Sequence, residues 1–86
     1  MNKNYKEKEF EDYKKTLYMA TETYISRENI EIDGEVYIEL NDLIHNSYID
    51  KNKIVENPRT KTKEYNARIK VSKDQAGVPI YEYVYE

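Results

Sequence analysis

The chain has 86 residues, 36% of them charged, and a net charge of -3. It is long enough for one small domain, and it lacks the excess of basic residues that a general nucleic-acid binder carries. It has no Cys and no Trp, and His45 is its only His, which excludes a disulfide framework, a Cys-based zinc site and a thiol nucleophile.

The charge is unevenly distributed. Residues 1–28 are balanced, residues 29–57 sum to -5, and residues 58–86 sum to +2. A solvated surface is the ordinary meaning of such a pattern. The longest apolar run, Leu17-Tyr18-Met19-Ala20, is far too short to cross a bilayer or to serve as the apolar part of a signal peptide.

The first element is a helix. Phe10, Tyr13, Leu17, Ala20 and Tyr24 recur at alternating steps of three and four, which places them on one stripe. Tyr18, Met19 and Ile25 widen the expected buried face, and Glu7, Glu11, Lys14, Lys15 and Glu22 occupy the opposite one. Lys8-Asp12 and Glu11-Lys15 sit at the spacing of attractive helical pairs. The helix is expected over residues 5–27, with lightly apolar first turns that project beyond the core.

Asp33-Gly34 signals a turn. Ile30 and Ile32 before it, and Val36 and Ile38 after it, alternate with polar residues. Short strands within residues 30–39, folded about this turn, are the expectation. A short helix over residues 41–47 follows, capped by Asn41 or Asp42, with Leu40, Leu43 and Ile44 on its apolar face. Asp50 reads as the acidic cap of a further turn, and Asn57-Pro58-Arg59-Thr60 as a turn in which Pro58 presets φ. From Tyr65, strict alternation points Tyr65, Ala67, Ile69 and Val71 one way. A loop ending at Gly77 then leads into a return strand over residues 78–85, completing a hairpin within residues 65–85. Val78, Ile80 and Val84 lie on one side of that strand and Tyr81, Tyr83 and Tyr85 on the other. The pattern leaves open which side is buried. Pro79 marks the strand as an edge or as one that begins after Pro79. Together these elements define a single α+β domain over residues 1–86. A long N-terminal helix packs across a small antiparallel sheet, with one short second helix.

The chain carries little that suggests chemistry. His45 would need a nucleophile or an orienting acid placed by tertiary structure, and the local sequence suggests none. Glu35 and Glu39 share a strand face that reads as exposed, where carboxylates catalyse poorly. Asp50-Lys51-Asn52 opens like a calcium loop, but Ile54 takes the next ligand position. No glycine-rich phosphate loop is present. These readings give no enzyme activity, no cofactor, no metal and no small-molecule substrate. Arg59, Lys61 and Lys63 form a small basic cluster beside Tyr65. The row Tyr81, Tyr83 and Tyr85 is either a binding ladder or a packed sheet face.

Three stretches in order carry a resemblance. They are Leu17-Tyr18-Met19-Ala20-Thr21-Glu22-Thr23-Tyr24, then Val36-Tyr37-Ile38-Glu39-Leu40-Asn41-Asp42-Leu43-Ile44 with Tyr48-Ile49-Asp50, then Asn57-Pro58-Arg59-Thr60 with the strand from Tyr65 to Val71. Across residues 10–85 this order resembles the soluble part of type IV pilin-like proteins and pseudopilins of Gram-positive bacteria. The family's membrane-spanning half-helix and cleavage site are not in these residues. The resemblance therefore implies an ectodomain whose hydrophobic stem would precede it. It implies a non-enzymatic subunit of an extracellular filament, with Phe10, Tyr13 and Leu17 near the stem and other protein subunits as partners. The membrane would be met only through that stem.

Two alternatives accompany this reading. One is a small phage or mobile-element protein that inhibits a host protein through its acidic middle; it would be cytoplasmic if Met1 is the native start. The other, less favoured, is a nucleic-acid-binding module using Arg59, Lys61, Lys63, Arg68 and Lys70.

Overall fold

The computed structural model describes residues 3–85. Met1, Asn2 and Glu86 lie outside the described residues, and with Met1 the expectation tied to it. The order of elements is helix α1 (Lys3–Arg27), strand β1 (Glu35–Glu39), helix α2 (Leu40–His45), a single 3-10 turn (Lys51–Lys53), and strands β2 (Arg68–Lys73) and β3 (Pro79–Val84). The sheet is antiparallel with β2 in the centre. The fold is α+β as expected: a long helix against a small sheet, with one short second helix.

The apolar stripe of α1 explains how it docks. Phe10, Tyr13 and Leu17 are buried together with Thr21, and Ala20 and Tyr24 pack half-buried against the core. Thr21 is fully buried because its hydroxyl donates to the Leu17 carbonyl at 2.7 Å, which removes its need for water. Met19 is 68% exposed, so the buried face is narrower than expected on that side. The pairing of Glu11 is also different: Lys14, not Lys15, reaches it at 2.8 Å. The helix ends where Asn29 turns left-handed at φ 55 and the Ile30 N–H reaches back to the Ile25 carbonyl at 3.0 Å. This geometry satisfies carbonyls that the last turn would otherwise leave open.

The bond that closes the helix also accounts for a correction at residues 30–32. The expected pairing about Asp33-Gly34 does not form. Gly34 supplies the bend with φ 81, but Ile30 and Ile32 pack half-buried against the core outside any strand. β1 pairs instead with β2, joining Val36 to Val71 and Ile38 to Ile69.

The start of α2 is corrected too. Glu39 holds the capping position without a side-chain bond, and the Leu40 N–H donates to the Ala67 carbonyl at 3.0 Å. The sheet ladder satisfies this donor, so β1 runs straight into α2 with no Asn or Asp cap. The acidic cap expected of Asp50 is present: its carboxylate accepts the Asn52 N–H at 2.8 Å.

β2 begins at Arg68, because Tyr65 and Asn66 form a turn. Ala67, Ile69 and Val71 are fully buried, whereas Tyr65 is 36% exposed. In β3 the tyrosine side turns inward. Tyr81 and Tyr83 pack on the core, while Val78 and Ile80 are exposed.

Candidate functional site

The most constrained polar cluster of the molecule centres on Glu64, which is only 3% exposed. The turn over residues 57–62 builds one side of it. The Asn57 N–H bonds the Thr62 carbonyl at 2.8 Å, the Asn57 side-chain oxygen accepts the Arg59 N–H at 2.9 Å, and Lys61 takes a left-handed φ of 62. This turn holds the Asn57 amide 3.0 and 3.1 Å from the two Glu64 oxygens. It also holds the Thr60 hydroxyl at 2.5 Å. From β3, the Tyr83 hydroxyl donates to Glu64 at 2.7 Å.

Burial alone pushes the Glu64 carboxyl up. The bonds from Thr60, Tyr83 and Asn57, with the charge of Arg59, outweigh it and hold the group below the usual carboxylate range. The same arrangement acts oppositely on the phenols. Burial, then the bond and charge of Glu64, push Tyr83 up strongly. Burial and the charge of Glu64 do the same to Tyr13. The Tyr13 hydroxyl is buried and has no hydrogen-bond partner among the described residues. Phe10 joins the group through an edge contact to the Tyr83 ring at 5.4 Å.

An ionised carboxylate that only accepts hydrogen bonds is a fastener. It is almost fully buried, and its bonds to Asn57, Thr60 and Tyr83 tie the 57–64 segment to β3. Sequence reasoning passed over Glu64. Neither its spacing to Thr60 nor its nineteen-residue separation from Tyr83 marks it as buried.

The residues singled out from sequence fall in different environments. Phe10, Tyr13 and Leu17 are in the core. They are therefore not an open interaction surface, and the reason is that the sheet already covers their stripe. Arg59, Lys61 and Lys63 are exposed on and just after the turn over Glu64. Arg68 and Lys70 lie on the sheet face turned away from α1. There the Arg68 guanidinium stands 4.7 Å from the Tyr37 ring centroid, and Lys70 is 3.5 Å from Glu35. The basic residues of the nucleic-acid alternative are thus partly engaged by Tyr37 and Glu35.

The tyrosine row divides. Tyr83 is bound to Glu64, Tyr81 stacks on Tyr18 with centroids 5.8 Å apart, and Tyr85 remains 43% exposed. His45 is exposed at the end of α2.

An open cleft of about 450 Å³ lies between α1 and residues 48–55, where Tyr48, Ile49 and Val55 face Glu9 and Asp12. It contains no His and no paired nucleophile and base. Among the described residues no three His, Asp or Glu side chains gather where a metal ion could be held, and no helix is long and apolar enough to cross a membrane. No protein-family model, curated protein or solved structure matches the chain.

Proposed function

We propose that the chain is a non-enzymatic structural domain, the ectodomain of a pilin-like subunit that acts by assembling with other protein subunits at the cell surface. The observation that carries this reading is the disposition of α1. Its 25 residues make a rod of about 37 Å, and its buried stripe begins only at Phe10. Among the described residues, the turns before Phe10 add no buried residue to the core; Lys6 and Glu7 border Glu56, Pro58 and Lys61, and Tyr5 is 67% exposed. A helix whose first turns carry an exposed aromatic and no core residue is suited to continue a stem. The polar interior supports the same reading, since its most perturbed groups serve packing.

The test is fractionation of the native host expressing the full gene product, with antibodies raised against this domain. Recovery in sheared surface filaments is expected, and Tyr5→Glu should abolish that recovery without unfolding the domain. Confinement to the cytosol overturns the proposal. The same result would favour the second reading, a small inhibitor of a host protein, which rests on the acidic charge of residues 31–42.

A further inference from the structure

The two edges of the sheet present different backbone. In an antiparallel pair, alternate residues turn their N–H and C=O groups toward the partner strand, and the residues between turn theirs away. The bond from Leu40 to Ala67 fixes that alternation for β1. Val36 and Ile38 bond β2, Glu35 and Tyr37 direct their backbone groups to the open side, and Glu39, at the cap of α2, keeps only its N–H there. On β3 the Tyr83 N–H leaves the sheet and donates to the Tyr18 hydroxyl at 3.1 Å. Tyr81, Tyr83 and Tyr85 are therefore the outward residues there. Pro79 shares their alternation within the strand and has no N–H to offer. The β3 edge is thus blunted by a proline and by a side chain from α1, two devices that discourage strand addition.

The β1 edge has neither device. Among the described residues, Glu35 and Tyr37 make no backbone bond outside their strand, the Glu39 carbonyl is taken up by the first turn of α2, and all three residues are exposed. We propose that this edge docks an extended basic segment of another protein, which adds as a fourth, antiparallel strand. Main-chain bonds would supply affinity and alternate side chains specificity.

The choice of occupant follows from charge. Glu35, Tyr37 and Glu39 lie on one sheet face, within a region whose net charge is -5. β2 already shows what suits that face: Arg68 stands opposite Glu39 and Lys70 opposite Tyr37. Arg68 lies against the Tyr37 ring and Lys70 against Glu35. A strand with Arg or Lys at alternate positions repeats this pattern on the open side. A second copy does not. Two β1 strands paired antiparallel about Tyr37 would set Glu35 against Glu39 at both ends, and directly opposed like charges are destabilising. This inference concerns the folded domain alone and holds whether or not the chain assembles into a filament.

The test is a titration of the isotope-labelled chain, followed by NMR. The probe is the acetylated, amidated peptide Asn-Ala-Arg-Ile-Lys-Val-Ser-Lys, the sequence of residues 66–73. Saturable shifts and slowed amide exchange are expected at Glu35, Tyr37 and Glu39, with Tyr81 and Tyr85 unmoved. Affinity should fall at least about tenfold for the peptide N-methylated at alternate residues, and by a similar factor for the Glu35→Lys, Glu39→Lys double variant. The methylated peptide keeps the test decisive even if the double variant misfolds. No shift at millimolar peptide, shifts confined to the α1 cleft, or indifference to N-methylation would overturn the proposal. Concentration-dependent shifts at the same amides without peptide would assign the edge to a second copy and overturn it equally.

Discussion

The β3 side of the sheet is anchored and the β1 side is bare. On the β3 side, Tyr18 holds the Tyr83 N–H, Tyr81 stacks on Tyr18, and Glu64 draws the Tyr83 hydroxyl and the 57–62 turn together. On the β1 side, exposed Glu35, Tyr37 and Glu39 face solvent. The two strands are similar in length and differ in what packs beside them. The difference shows that an edge strand gains order from polar groups brought in by distant segments, because its own backbone is only half satisfied by its neighbour. It also shows where a partner strand finds unoccupied backbone.

Removing the anchor tests this contrast most severely. Glu64→Ala leaves the Tyr83 and Thr60 hydroxyls and the Asn57 amide without their acceptor. A loss of about 2–4 kcal/mol in urea unfolding is expected, with amide protection lost first in β3. Glu64→Gln keeps an acceptor and should cost less, about 1–2 kcal/mol.

The acid dependence of the anchor separates the two sides in another way. The folded Glu64 carboxyl lies below its ordinary value. Its contribution is therefore fully present above the unfolded pKa and is lost as pH falls through the folded one. Subtracting the Glu64→Gln stability profile from that of the parent should isolate a decline confined to this acid window. The Tyr83 phenol, raised by burial and Glu64, behaves inversely. Its contribution is present below the unfolded pKa and is lost as pH rises through the folded one. Tyr83→Phe should remove that alkaline loss.

Tyr18→Phe deletes only the hydroxyl that blocks the β3 edge. A loss of about 1 kcal/mol is expected, with faster hydrogen exchange at the Tyr83 amide and none of comparable size at Tyr37. Tyr13→Phe should move stability the other way, by up to about 1 kcal/mol, since it deletes a buried hydroxyl that has no partner among the described residues. The smallest effect belongs to the bare side. Tyr37→Leu removes the Arg68 ring contact, and an exposed contact of this kind contributes about 0.5 kcal/mol. A double-mutant cycle with Arg68→Ala measures it.

The sequence by itself determined the elements whose burial is written locally. The three-four spacing of Phe10, Tyr13 and Leu17 specifies the docking stripe of α1, and the alternation of Ala67, Ile69 and Val71 specifies the central strand. Asp50 and Gly77 mark turns because their chemistry acts within a few residues. Tertiary structure alone decided what depends on distant partners. Ile30 and Ile32 alternate like a strand, yet the backbone there closes α1. β3 carries apolar groups on both sides, and it turns Tyr81 and Tyr83 inward, where Tyr18 and Glu64 receive them. Glu64 reads in sequence as one more surface carboxylate. Its burial was decided by an amide, a hydroxyl and a phenol that the fold brings to it, since a buried charge persists only where enough donors converge.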